Sequence, residues 1–475
     1  MQTNIKCDIA IIGAGAGGLS LAAGAAQMGA NIVLIENNRM GGDCLNYGCV
    51  PSKALLAAAK SVMQIKDAKK IGITVEKVNI DFSTVMAHVK QTIKNIEPND
   101  SIERFEKLGV NVIQETGEFI NANILKAGDK LIQAKRFVIA TGSSAFIPPI
   151  SGLANVPFLT NETIFNLVNL PAKLLIIGGG PIGCEMAQAF ALLGTDVTII
   201  EAGTLLAKDE PDMVDILRQQ LLTNNIKIYE HAQINNVNYQ QHDFSVQFNW
   251  NNQSQILIGT HLLVATGRQP NVKTLNLAAA DVTFSDKGIL VDAHLRTTNK
   301  RVYAIGDVTG QMPFTHIANY HAGLVLRQIL FKMPAKIDYA AVPWVIYTEP
   351  ELAHVGMSLQ QAREKFGDAI HVFESEFKEN DRAQTDAHTL GKIKIITDKK
   401  AHVLGVTIVG QQAGELLLPW IMIIQQRQTV RALTDIIVPY PTLSEINKRV
   451  AGEFYKPIIF SEKIKRLVKF MMKLT

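Results

Sequence analysis

The sequence predicts an α/β protein of about three domains, and three observations carry that prediction. An apolar strand, a glycine-rich loop, a helix-forming run and a second strand follow one another near the start of the chain and again from residue 173. Between these two units lies a pair of cysteines, Cys44 and Cys49, at the mouth of a further helix-forming run. The chain has 475 residues, 47% of them hydrophobic, enough for several packed cores rather than one small one.

In the first unit Asp8-Ile9-Ala10-Ile11-Ile12 reads as a strand, Gly13-Ala14-Gly15-Ala16-Gly17-Gly18 as the loop, and the alanine-rich run to Met28 as a helix; Asn31-Ile32-Val33-Leu34-Ile35 then forms a second strand ending at Glu36. Gly13 permits the tight turn, Gly15 lets backbone amides approach a pyrophosphate, and Gly18 allows the helix to pack closely on the strand. Glu36 is placed to hydrogen-bond a ribose hydroxyl. A bare glycine pattern is weak, but set between strand and helix with an acid at this distance it predicts a Rossmann-like dinucleotide site.

The next segment, Gly41-Gly42-Asp43-Cys44-Leu45-Asn46-Tyr47-Gly48-Cys49-Val50-Pro51-Ser52-Lys53, leads into Ala54-Leu55-Leu56-Ala57-Ala58-Ala59. Pro51 suits a first helical turn and the alanines and leucines propagate it. Cys49 therefore sits near the positive end of a helix dipole, where a thiolate is favoured and the thiol pKa falls. Positions five apart on an ideal helix are too distant for a disulfide, so Cys44 is expected in a bent, glycine-flanked entry rather than on a regular turn. The best reading is a redox-active disulfide. Against it stand two inert cysteines or half of a metal site, although Cys7 and Cys184 stand alone and supply no second ligand pair.

The second unit repeats the first: strand Leu174-Leu175-Ile176-Ile177, loop Gly178-Gly179-Gly180-Pro181-Ile182-Gly183, a helix through Leu193, and strand Val197-Thr198-Ile199-Ile200 closed by Glu201. A carboxylate there receives a 2′-hydroxyl and repels a 2′-phosphate, which favours NADH over NADPH. Ala140-Thr141-Gly142-Ser143 and Ala265-Thr266-Gly267-Arg268 each follow an apolar strand and taken alone read equally well as ordinary strand-end turns. Val302-Tyr303-Ala304-Ile305-Gly306-Asp307 ends a strand on a carboxylate that either binds a sugar hydroxyl or caps the following helix.

Together these segments resemble the pyridine nucleotide-disulfide oxidoreductases, the group of dihydrolipoamide dehydrogenase, glutathione reductase and mercuric reductase, from about residue 5 to 456. Tyr347-Thr348-Glu349-Pro350-Glu351-Leu352-Ala353-His354-Val355-Gly356 is similar to the opening of the family's dimerisation domain, and Tyr440-Pro441-Thr442-Leu443-Ser444-Glu445 to its C-terminal active-site loop. The resemblance implies an FAD domain from 1–148 and 271–341, an NAD(H) domain at 149–270, and an α+β dimerisation domain at 342–458 through which two chains pair as a homodimer. It implies that Gly13, Gly15, Gly18, Glu36, Gly42, Lys53, Gly117, Thr141, Gly142, Asp307 and Thr315 contact FAD. Gly178, Gly180, Gly183, Glu201 and Gly267 would serve NAD(H). Lys53 would pair with Glu185 beside the flavin, Cys49 would face the flavin, and Cys44 would be the outer thiol that meets a small-molecule electron acceptor.

One position departs from the family. The histidine that serves as acid–base partner is replaced by Tyr440, although Glu445, which would orient it, keeps its place; the position two residues earlier is Val438. A phenol with a pKa near 10 does not exchange a proton at neutral pH as an imidazole near 6.5 does, and loss of such a group costs typically 10²–10⁴ in rate. A tyrosine in this region resembles mercuric reductases, but no cysteine follows Cys184, and with a first strand beginning by residue 8 no N-terminal metal-binding domain is expected. The expected function is electron transfer from NADH through flavin and Cys44–Cys49 to a disulfide, metal-ion or quinone-like acceptor. The alternatives are a dihydrolipoamide dehydrogenase of a 2-oxo acid complex and a membrane-associated redox-sensing flavoprotein. Tyr440 reads equally as a packing residue.

The net charge is +4, and the segment 459–475 carries all of it: Lys463, Lys465, Arg466, Lys469 and Lys473 against Glu462. The rest of the chain is neutral, which argues against a nucleic-acid surface. Ile464, Leu467, Val468, Met471 and Leu474 recur at helical spacing in this tail, a pattern that fits either packing on the protein's own dimer or a peripheral hold on anionic lipid. No charged leader precedes Ile9, and no apolar run reaches the roughly 18 residues of a membrane span, so a cytoplasmic protein is expected.

Overall fold

The computed structural model describes residues 3–474. Its first sheet is built on the strand Thr3–Ile12, which lies parallel between Ile32–Ile35 and Lys130–Ile139, with Val110–Ile113 outside Ile32–Ile35. Ile9, Ala10, Ile11 and all four residues of Ile32–Ile35 are buried, as a parallel sheet covered on both faces requires. The long strand Lys130–Ile139 does two jobs: its first half pairs antiparallel with Ile124–Ala127, and its second half pairs parallel with Val302–Ala304. Chain from beyond the second unit thereby returns to the first sheet and brings Asp307 to its edge.

The helix Ala16–Gln27 lies against Thr315–Phe331, and small residues set how closely. A Cβ on Gly17 would lie 3.2 Å from the Ala318 carbonyl and 3.3 Å from its Cβ, so the two helices approach closely there.

The second sheet is wholly parallel, in the order Lys227–Tyr229, Asp196–Ile200, Lys173–Ile177, His261–Val264. Its helix Pro181–Leu192 packs on the helix Cys49–Asp67. Leu55 and Ala59 of one and Met186, Ala189 and Phe190 of the other share a buried core that also takes in Ile346 and Val409 of the C-terminal sheet. That sheet is antiparallel, in the order Pro343–Ile346, Glu351–Gly356, Val403–Gly410, Lys392–Asp398, Ile370–Glu376. Beneath it Trp420 is fully buried and donates from Nε1 to Asn447 at 2.8 Å.

Sequence and structure differ in one place that matters to the site. Cys44 was expected in an irregular bend, but it sits on a short helix of its own, Gly42–Asn46, and the chain breaks after it at Tyr47 and Gly48 before the helix Cys49–Asp67 begins. The change of direction falls between the cysteines, not at one of them.

Candidate active site

The glycine loop after Thr3–Ile12 is held by contacts that only glycine permits. Gly13 has φ +103°, and a Cβ there would lie 2.4 Å from the Ala140 carbonyl; a Cβ on Gly18 would lie 1.9 Å from the Gly13 carbonyl. Glu36 folds back on the loop, its carboxylate accepting from the amides of Ala14 at 2.6 Å and Asn38 at 2.8 Å. From here a cleft of about 760 Å³ runs past Gly15, Gly42, Gly117, Thr141, Gly142 and Asp307 to Thr315, Lys53, Glu185 and the cysteines. Thr141 donates to the Asn271 carbonyl at 2.8 Å, which ties two strand-end turns together. Asp307 accepts from the Ser143 hydroxyl at 2.6 Å, and burial raises its pKa above the usual carboxylate value.

At the deep end Cys44 and Cys49 are free thiols, hydrogen-bonded to each other. Cys49 heads the helix Cys49–Asp67 and is exposed to the cleft. Its pKa is lowered to about 6, chiefly by the hydrogen bond from Cys44; Thr315, whose Oγ1 lies 3.7 Å away, and the Lys53 ammonium also lower it, against partial burial. Cys44 is pushed upward, mostly by the same hydrogen bond and then by burial. The pair therefore divides into one thiolate and one thiol at neutral pH.

Lys53 Nζ lies 2.8 Å from Glu185 Oε2 and 4.4 Å from the centroid of the Tyr347 ring. The other Glu185 oxygen accepts from the Tyr347 amide at 3.0 Å, so two helices and the end of a strand of the C-terminal sheet meet at one buried carboxylate. A cation held by both a carboxylate and a ring face is fixed more firmly than by either alone.

The remaining candidates lie elsewhere. Gly178, Gly180, Gly183, Glu201 and Gly267 gather at the ends of the second sheet and do not line this cleft. There Glu201 accepts from the amides of Gly179 at 2.5 Å and Gly203 at 2.7 Å, repeating what Glu36 does in the first unit. Tyr440 and Glu445 are not among the residues lining the chain's own cleft. Tyr440 is 71% exposed and its hydroxyl donates to Asp381 at 3.0 Å; that bond and the Asp381 charge raise the phenol pKa further. Glu445 accepts from the Thr442 amide at 3.4 Å.

Residues 7–322 match the family described as pyridine nucleotide-disulphide oxidoreductase, and residues 342–451 match its dimerisation domain. The chain belongs to the pyridine nucleotide-disulphide oxidoreductases. It is similar to a mercuric reductase from Lysinibacillus sphaericus, 32% identical over 454 residues that cover 95% of this chain and 83% of the relative. A dihydrolipoyl dehydrogenase from Bacillus subtilis is 31% identical, covering 92% of this chain and 96% of that one. Among solved structures, the HOCl-induced flavoprotein disulfide reductase RclA from Escherichia coli, in its Cu(II) complex, superposes with a TM-score of 0.84 at 29% identity, covering 93% of this chain and 99% of that chain.

As a pyridine nucleotide-disulphide oxidoreductase the protein is an FAD-dependent enzyme that uses a pyridine nucleotide, and its dimerisation domain supports a homodimer. The residues of the first cleft fit FAD. A Cβ on Gly15 would meet nothing nearer than Gly42 Cα at 3.9 Å, so the loop turns bare backbone to the cleft, while Glu36 and Asp307 keep spare lone pairs for sugar hydroxyls. Sequence reasoning assigned no role to Arg268, which bonds the Ser143 hydroxyl at 2.8 Å and pairs with Asp43 at 3.2 Å, nor to Tyr347 under Lys53. Both stood inside quoted motifs, but only the packing of distant segments makes them part of a site.

Proposed function

We propose that this enzyme oxidises NADH and passes the electron pair through FAD and a Cys44–Cys49 disulfide to a small-molecule acceptor, with a thiophilic metal ion the acceptor class best suited to its site. The reading is carried by the divided thiol pair in the cleft, with Cys49 held near pKa 6 beside Lys53. Bound FAD supplies the relay of electrons between nicotinamide and disulfide. NADH and the disulfide become NAD⁺, one thiolate and one thiol, which balances without a further proton. Cys49 keeps the thiolate because Cys44 and Lys53 stabilise it, and Cys44 keeps the proton. Glu201 receives a ribose hydroxyl and repels a 2′-phosphate, so NADH is preferred.

The acceptor follows from the departure at Tyr440. Thiol–disulfide exchange at Cys44 needs a base to take its proton and return it, and a phenol whose pKa Asp381 raises further is poor at this. A metal ion displaces the proton on binding two sulfurs and asks for no imidazole. Mercuric reductases among the relatives and the Cu(II) complex of RclA support this choice; a quinone or disulfide remains the rival acceptor. The domains would divide as 1–148 with 271–341 for FAD, 149–270 for NAD(H), and 342–458 for pairing. In the dimer Tyr440 and Glu445 would then serve the partner's cysteines.

The second reading, a dihydrolipoyl dehydrogenase, is favoured by the retained Glu445 and by relatives of that name. An anaerobic screen of metal ions, quinones, disulfides and dihydrolipoamide, with NADH and NADPH compared, separates the two. Metal-ion reduction should fall about 10²-fold or more in Cys49→Ser. Dihydrolipoamide turnover should be slow and rise in Tyr440→His. Acceptor turnover untouched by Cys49→Ser would remove the dithiol mechanism altogether.

A further inference from the structure

The helix Glu462–Met471 takes no part in the cleft described above. Ser461 caps it, its side chain accepting from the Ile464 amide, and the helix buries no residue. At about 100° per residue, Ile464, Leu467, Val468 and Met471 fall within an arc of about 100°, and Leu474 follows just past the helix. All of these but the half-buried Ile464 are exposed, Leu474 to 72%. Phe470 and Met472 lie at the two borders of that arc, both more than half exposed.

The opposite arc holds Lys465, Arg466 and Lys469, with Lys463 beside the border and Lys473 just past the helix. Lys465 pairs with Glu462 at 2.8 Å, whereas Lys463, Arg466, Lys469 and Lys473 have no carboxylate partner among the described residues. Just before the helix, Ile458, Ile459 and Phe460 are also more than half exposed.

We propose that this helix docks the enzyme on an anionic lipid surface, lying in the plane of the interface with its apolar arc among the acyl chains and its cations at the headgroups. Charge decides between the possible occupants. A second copy of the helix would cover the apolar arc but leave the cations of the opposite arc without a partner. The body before residue 459 has a net charge of zero, so it presents no overall negative charge to these cations. An anionic bilayer complements both faces at once, and the aromatic and methionine residues at the border sit at the depth where such side chains are favoured. The match to the family's dimerisation domain ends at residue 451, so this helix lies outside the matched segment. No helix among the described residues is long and apolar enough to cross a membrane, so the contact is peripheral.

Flotation of the full-length FAD-loaded protein with vesicles of phosphatidylcholine alone, and of phosphatidylcholine mixed with phosphatidylglycerol, tests this. The expected result is binding to the mixed vesicles only, weakened by salt and abolished by truncation after Tyr455, with NADH turnover on a soluble acceptor unchanged. Arg466→Gln with Lys469→Gln should weaken binding roughly tenfold or more, and Leu467→Glu with Met471→Glu should abolish it although every cation remains. Equal binding to neutral vesicles, or binding that survives the two glutamates, would overturn the proposal. So would a full-length protein that ignores vesicles and loses an oligomer on truncation, since the face would then belong to a second copy.

Discussion

At the scale of single residues the chemistry rests on how Cys49 is ionised. Its pKa lies at about 6, below the ordinary thiol value, so it stays a thiolate until the pH falls through about 6. Alkylation of the reduced protein by iodoacetamide should therefore rise through a midpoint near pH 6 and level off above it. Cys7, held up at about 12 by burial, and the fully buried Cys184 should stay silent. By linkage, the stabilisation this thiolate gives the reduced fold is complete above the free thiol pKa and is lost as pH drops through about 6. Cys44→Ala removes the largest contribution and should move the midpoint up further than Lys53→Met does. A midpoint unmoved by either change would mean that the helix end alone sets the pKa. The ordering of the two thiols was legible in the sequence, because helix propensity places Cys49 at a helix start. The larger cause, the hydrogen bond from Cys44, was not, since it depends on how the chain turns at Tyr47 and Gly48.

Among elements, the two glycine loops are near copies, and the second separates structure from binding most cleanly. A Cβ on Gly183 would lie 2.0 Å from the Gly178 carbonyl, whereas a Cβ on Gly180 would meet nothing within 4 Å. Gly183→Ala should therefore destabilise the second unit by about 3 kcal/mol, the upper range for overpacking, and lower its melting temperature. Gly180→Ala should melt like the parent but raise KM for NADH, because the added methyl stands where the pyrophosphate would approach. Equal melting of the two variants would contradict the close packing of loop on strand. These elements were read nearly in full from sequence: the helix expected to run to Leu193 ends at Leu192, and the strand expected from Leu174 begins at Lys173. Strand, turn and helix signals of this kind are local, so no knowledge of the rest of the chain is needed to see them.

Across the whole molecule, the second unit is bolted to the C-terminal sheet by charge as well as by apolar contact. Lys394 is only 4% exposed and lies 3.4 Å from Glu210, with Asp212 and Glu374 also paired to it. Nearby, Trp344 donates to Asp209 at 2.7 Å, and burial raises that carboxyl to about 6. Lys394→Met leaves Glu210 buried without its cation and should cost about 3–5 kcal/mol. Adding Glu210→Gln should recover much of the loss, since the uncompensated charge is then gone. Thermal melting of the two variants decides it: a double variant no more stable than the single one would show that lost packing, not stranded charge, is what matters. None of this joint was legible in the sequence, where Glu210 and Lys394 are ordinary charged residues far apart in the chain.

The sequence by itself determined the two dinucleotide units, the dithiol at a helix start and the replacement of an imidazole by Tyr440, because each is written in neighbouring residues whose backbone preferences and chemistry act locally. The pairing of Lys53 with Glu185 was implied by the family resemblance, whereas tertiary structure alone decided that Lys53 also meets Tyr347, that Arg268 meets Asp43, and that the helix at residues 462–471 buries none of its residues. Those contacts join segments often more than a hundred residues apart. The contacts of Lys53 follow from helix Cys49–Asp67 burying its apolar face against helix Pro181–Leu192 and the C-terminal sheet, so burial of oil-like surface assembles that part of the site.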